Sequence, residues 1–177
     1  MKYFFVLSFL LQLNNFAFSQ EDIFEIARSG TLEHLKESIQ KDFNCVNYTD
    51  ANGFSPLILA CYKGNIEVAK LLIDTVRDIN YQSQEGTALM AAVMRNNLEL
   101  IHLFISKNAN INLTNANGVT ALMLAIQFKR AEIIKIFLEN NINLSLKDND
   151  GKSAFEYAIN TNDQEIINLI KNYINQK

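Results

Sequence analysis

Gly118-Val119-Thr120-Ala121-Leu122-Met123-Leu124-Ala125 is the stretch that decides the fold, because its pattern occurs four times. Its core is a hydroxyl residue, a small residue or Pro, a large apolar residue, two further residues and Ala. That core stands at 55–60, 87–92, 120–125 and 153–158, opened by Ser55, Thr87, Thr120 and Ser153. The intervals are 32, 33 and 33 residues. Self-similarity at such a period marks a repeat architecture in which each unit is one supersecondary element. A glycine precedes each copy (Gly53, Gly86, Gly118, Gly151) and a glutamate follows each (Glu67, Glu99, Glu132, Glu165). An apolar run follows each glutamate: 68–72, 100–104, 133–137 and 166–170.

Each part has a physical reason. The glycine lies in a turn before a helix, where a positive φ is cheap only for Gly. The Ser or Thr caps the first helix through its side-chain oxygen. Pro56 fits the first helical position, where no N–H is required. The Ala lets neighbouring helices approach, and Ala92 and Ala125 are expected to have no room for a larger side chain. The run after each glutamate reads as a second helix with apolar residues at i, i+3 and i+4. The glutamates sit where the N-terminal dipole of that helix favours a carboxylate, so they read as structural rather than as an acidic strip. Asn80, Asn112 and Asn143 lie in the polar stretch before the next turn, where Asn tolerates left-handed backbone.

Taken together, the period of 33 with Gly, Ser/Thr, Ala, Glu and the apolar run resembles the ankyrin repeat. The resemblance covers roughly residues 21–171. It implies an all-α solenoid of stacked helix-turn-helix units with short hairpin turns. The units are expected at 50–82, 83–114, 115–147 and 148–177, the last serving as a C-terminal cap. A degenerate capping unit at 20–49 precedes them, its helices read over 23–30 and 32–39. The family's His in the helix-opening motif is replaced by Ile58, Met90, Met123 and Glu156, so its side-chain hydrogen bond is expected to be missing. The second full unit is one residue short between Gly86 and Thr87, so its hairpin should be tighter or irregular. The turn before the first full unit carries one extra residue near Cys45.

The ends and the composition bound the setting. Met1-Lys2, the apolar run 3–13, Asn14-Asn15 and Ala17-Phe18-Ser19 have the layout of a secretory signal peptide, residues 1–19, with Gln20 as the mature N-terminus. The expected location is therefore secreted or periplasmic, and no Cys follows the apolar run to carry a lipid. The richness in Asn and Lys points to an AT-rich, bacterial genome. No other segment is apolar over a length that spans a bilayer, so no stable membrane anchor is expected after cleavage. Of the chain's 177 residues 49% are hydrophobic and 20% charged, and the net charge is -3. That suits a folded protein without the basic footprint of a nucleic-acid binder. Cys45 and Cys61 make no disulfide framework: Cys61 reads as a small core residue and Cys45 as a loop residue. Asn47, Asn112 and Asn143 head Asn-x-Ser/Thr sequons, which matter only in a glycosylating host.

No constellation of residues carries chemistry. His34 and His102 lie in different units, without a partner at metal-ligand spacing. Nucleophile-elbow, phosphate-loop and dinucleotide-binding motifs are absent. Asp148-Asn149-Asp150-Gly151 starts like a calcium loop, but Ile159 stands where the loop needs Glu, so these carboxylates read as helix caps in a turn. Neither a cofactor nor a metal is expected, and the chain is expected not to be an enzyme.

What the resemblance implies instead is a monomeric binding module for a protein partner. Contacts in the family come from turn residues flanking the Gly and from residues closing the first helix. Mapped onto this sequence, those positions are Ala51, Asn52, Phe54, Tyr62 and Lys63; then Gln84, Glu85, Met94 and Arg95; then Ala116, Asn117, Val119, Gln127 and Phe128; and last Asn149, Asp150, Lys152, Asn160 and Thr161. Phe54, Tyr62, Met94, Val119 and Phe128 are apolar or aromatic where scaffold logic asks only for solubility, and Arg95 sits among them. Such residue types are enriched at interfaces. Phe54, Tyr62, Met94, Arg95 and Phe128 are expected to form one stripe on the concave side. An alternative stays open: an immunity-type or accessory protein that masks or supports one specific exported enzyme or toxin.

Overall fold

A computed structural model of the chain describes residues 23–140 and 142–176. The segment read as an export signal lies outside the described residues. The chain divides into two compact units, one ending at Arg77 and the other beginning at Asp78.

The first unit opens with α1, residues 23–29, which buries Ile23, Ile26 and Ala27 at i, i+3 and i+4 spacing. Helix α2 (Leu32–Lys41) starts at Thr31, whose side chain accepts the N–H of His34. A 3-10 turn, Phe43–Asn47, follows, capped by the carboxylate of Asp42. This turn holds the extra residue near Cys45, and it corrects the reading of Cys45 as a loop residue: Cys45 and Val46 belong to the turn and are buried. Both cysteines are free thiols. Then come α3 (Pro56–Lys63) and α4 (Ile66–Thr75), which pack on each other. The carboxamide of Asn65 donates to the carbonyls of Ile26 and Gly30 and ties this pair to the capping helices.

The second unit runs through a two-residue hairpin, β1 (Gln82–Ser83) and β2 (Gly86–Thr87), then α5 (Ala88–Met94), α6 (Leu98–Ser106), α7 (Ala121–Gln127), α8 (Ala131–Leu138), α9 (Ala154–Asn160) and α10 (Gln164–Gln176). The first helices of its three repeats, α5, α7 and α9, pack side by side. Ala92, Ala125 and Ala158 are fully buried in that stack. All four expected caps form: Ser55, Thr87, Thr120 and Ser153 accept the N–H of Ile58, Met90, Met123 and Glu156. The four glutamates each stand second in α4, α6, α8 and α10.

Hairpin chemistry follows the residue three before the glycine. Asp50, Asn115 and Asp148 each accept two backbone N–H groups on one side-chain oxygen, at i+2 and i+4. Ser83 stands at that place in the short hairpin, and its hydroxyl is too short for this double turn. The strands pair antiparallel there instead, Gln82 with Thr87 and Ser83 with Gly86, leaving Gln84 and Glu85 at the tip. The tighter hairpin that the missing residue predicts is thus a β-ladder.

Two expectations are corrected, and one tolerance goes unused. Asn80, Asn112 and Asn143 are not left-handed; among the described residues the non-glycine residues with positive φ are Asn96, Asn108, Lys129 and Asn162. Asn80 and Asn112 instead accept the backbone N–H of Asn110 and Asn143 in the following repeat, each at 2.8 Å. Glu156 does not leave its unit without the helix-opening hydrogen bond: its Oε2 accepts the N–H and the hydroxyl of Ser153 at 2.6 and 2.8 Å. The short carboxylate reaches back to its own cap as a capping box. Asp148 caps no helix; it organises the turn and accepts the Tyr157 hydroxyl at 2.8 Å.

Candidate functional site

In each full repeat the first helix ends in a left-handed residue: Gly64, Asn96, Lys129 and Asn162. Side chains one and two positions before it sit beyond the buried stripe. In the first unit these are Tyr62, 48% exposed, and Lys63, whose ammonium lies 5.8 Å from the Tyr62 ring centroid. A cation over an aromatic face is weakly attractive and leaves both groups presented to solvent. Phe54 is half-buried, its backbone folded onto Asp50.

In the second unit Met94 (38% exposed) and Arg95 end α5, and Gln127 and Phe128 (40% exposed) end α7. Because α5 and α7 pack at equivalent positions, these two ends lie beside each other. At the hairpins, Gln84 and Glu85 are exposed, Val119 is half-buried and Lys152 is exposed with its ammonium 3.4 Å from Asp150. The tips are joined by backbone: Ala116 donates to the Gln84 carbonyl and Asn149 to that of Asn117. The second unit therefore brings Met94, Arg95, Gln127 and Phe128 together at the helix ends, and Gln84, Glu85, Val119 and Lys152 along the joined tips.

Two residues absent from the mapped positions belong here. Lys129 takes the left-handed place, and Arg130 takes the N-cap of α8 and makes no side-chain cap. Aligning the four inter-helix turns could have found them. Gly64-Asn65, Asn96-Asn97 and Asn162-Asp163 use residues suited to left-handed and capping backbone, and Lys129-Arg130 does not.

Among the described residues, perturbed titrations fall on groups that hold turns, caps or the core. Burial raises the Cys45 thiol to about 11, with Asp42 adding to the effect, and burial alone raises Cys61 further. Burial and the hydrogen bond to Asp148 push the Tyr157 hydroxyl up to about 12. The Asp42 hydrogen bond, followed by burial, does the same for Tyr48. A hollow of about 250 Å³ lies among Ile105, Asn108–Asn112 and Asn140 in the second unit, lined by no titratable side chain. Among the described residues no group of three His, Cys, Asp or Glu could hold a metal ion, and no helix is long and apolar enough to cross a membrane. What the arrangement offers chemically is a surface of apolar and cationic side chains on packed helices.

The family model for ankyrin repeats (three copies) matches residues 23–115 and 89–177, and the chain belongs to that family. Its fold is accordingly the all-α fold of stacked helix-turn-helix repeats. It is similar to Ankyrin repeat and SAM domain-containing protein 6 of Rattus norvegicus, 35% identical over 101 residues, covering 56% of this chain and 11% of that protein. It is also similar to BCL-6 corepressor-like protein 1 of Homo sapiens, 33% identical over 95 residues, 53% of this chain and 5% of that one. Ankyrin repeat and SOCS box protein 11 of Mus musculus is 32% identical over 96 residues, 54% of this chain and 29% of that one. The chain thus spans a small part of the length of these relatives. Ankyrin repeats are protein–protein interaction modules, and this is the class in which the chain falls.

Proposed function

We propose that the chain is an exported ankyrin-repeat module that holds a protein partner on the hairpin tips and first-helix ends, the face that the resemblance makes concave. One observation supports this most: Tyr62, Met94 and Phe128 are exposed large apolar side chains at the ends of first helices. Nothing in the repeat requires them there, since the buried stripe ends before them, at Cys61 and Val93 one residue earlier and at Ile126 two residues before Phe128. Within the second unit, Met94 and Phe128 end the neighbouring helices α5 and α7, and exposed apolar side chains grouped on a folded unit mark interaction sites. Export rests on the layout of residues 1–19.

The test is capture from exported fractions with the chain beginning at Gln20 as bait, alongside Tyr62→Ala and Phe128→Ala baits. The reading expects a protein retained by the first bait and depleted from both variants. Retention equal on all three would place the contact elsewhere. Export is checked by the intact mass of the exported protein: a mass starting at Gln20 supports it, and Met1 retained contradicts it.

A further inference from the structure

We propose that the turn Phe128-Lys129-Arg130, together with Met94 and Arg95 at the neighbouring helix end, anchors a polypeptide segment that carries carboxylates beside apolar side chains. The proposal rests on the protein-binding reading of the first-helix ends and names the chemistry of the partner.

Lys129 and Arg130 depart from the residue types that the other repeats place in this turn, and an exposed aromatic precedes them. Phe128 exposes an aromatic ring at 40%. Lys129 is held at φ 54°, a backbone that its equivalents fill with Gly or Asn. Arg130 occupies an N-cap without capping; Asn97 and Asp163 at the equivalent place accept N–H groups of the following helix, and Asn65, which caps no N–H, uses its carboxamide on the carbonyls of Ile26 and Gly30. The Nε of Arg130 is buried with no hydrogen-bond partner. Departures from local consistency, concentrated in one turn, are where function overrides stability.

The charge of the turn selects the occupant. Arg95 and Lys129 are exposed, and neither they nor Arg130 has an ion-pair partner among the described residues. Asp163, at the place of Arg130 in the next repeat, has its Oδ1 committed to the N–H groups of Glu165 and Ile166. Three uncompensated cations on a chain of net charge -3 attract an anionic partner by complementarity. Guanidinium groups bind carboxylates in a bidentate fork. Met94 and Phe128, adjacent in sequence to these cations, call for apolar side chains on the same segment, which a bare polyanion lacks.

A random-peptide display selection on the immobilised chain tests this, repeated on Lys129→Asn/Arg130→Asn, which installs the turn residues of the second full repeat. The expected pool is enriched in Asp or Glu next to Leu, Phe or Trp. The best peptide, measured by fluorescence anisotropy, should bind the double variant roughly tenfold or more weakly. The double variant should also melt higher, by about 2–4 °C. A pool without acidic bias, unchanged affinity for the double variant, a lower melting temperature, or tighter binding to duplex DNA than to the best peptide would each overturn the proposal. An apolar pool lost with Phe128→Ala but indifferent to the double variant would overturn it while leaving the protein-binding reading in place.

Discussion

The carboxamide oxygen of Asn80 accepts the backbone N–H of Asn110 at 2.8 Å, across a sequence separation of 30 residues. The same bond recurs from Asn112 to Asn143 at 2.8 Å, and in the first unit from Asn47 to Arg77 at 2.9 Å. An N–H that lies between helices and outside any ladder is thus satisfied by a side chain one repeat earlier. Asn80→Ala removes the acceptor and should destabilise by about 1–2 kcal/mol, whereas Asn80→Asp keeps an oxygen there and should cost less. Urea unfolding of the two variants checks the order. In the first unit the Nδ2 of Asn47 is buried, so the folded chain cannot offer this sequon for glycosylation.

Gly118 and Gly151 stand at the same place in successive hairpins, at φ 75° and 81°. A Cβ at Gly118 would meet the Asn149 nitrogen and the Asp148 Cα, both at 2.9 Å, while one at Gly151 meets nothing within 4 Å. Gly151→Ala should therefore cost only the left-handed strain, about 1–2 kcal/mol. Gly118→Ala carries that strain and a backbone clash that parts the joined tips, so its melting temperature should fall further. Equal losses would contradict the tip-to-tip register.

Acid should weaken the last repeat first. Burial raises the Asp148 carboxyl, but the N–H groups of Lys152 and Asp150 and the Tyr157 hydroxyl outweigh it and hold the group below its usual 3.8. The N–H and hydroxyl of Ser153 hold Glu156 below its usual 4.5. A carboxyl with a lower pKa folded than unfolded contributes stability that is complete above the unfolded value and lost as pH falls through the folded one. The melting temperature should hold down to about pH 4.5 and drop below it, and Glu156→Gln should flatten part of that drop. Glu156→Ala should destabilise at neutral pH by about 0.5–2 kcal/mol, as lost caps do.

Both thiols should be silent in the native protein. Cys45 and Cys61 are buried, and burial raises both pKa values, so little thiolate exists near neutral pH. A chromogenic disulfide reagent should react with neither at pH 8 and with both once the chain is unfolded in denaturant. Rapid reaction of one thiol in the native state would contradict the packing around it.

Most of the fold was legible because the repeat writes it four times: hydroxyl caps, buried alanines and second-helix glutamates each follow from their own short-range physics. The bonds from Asn80 and Asn112 were not legible, since their partners lie a whole repeat away and a lone Asn in a polar stretch reads equally well as a turn residue. Glu156 was misread because a missing family residue does not show what its replacement can reach. At the candidate site, Tyr62, Met94, Arg95 and Phe128 could be placed by alignment to motif positions. Lys129 and Arg130 escaped, because their signal is a difference between repeats and not a motif in any one of them.

The exposed first-helix ends, on the reading proposed above, bind a partner and are dispensable for folding. The most direct measurement titrates the captured partner into the wild-type chain, Tyr62→Ala and Phe128→Ala, with melting curves on the same samples. Each substitution is expected to weaken binding by at least ~2 kcal/mol, roughly thirtyfold, and to move the melting temperature by no more than about 2 °C. Unchanged affinity in both variants, or loss of binding that tracks unfolding, would contradict it.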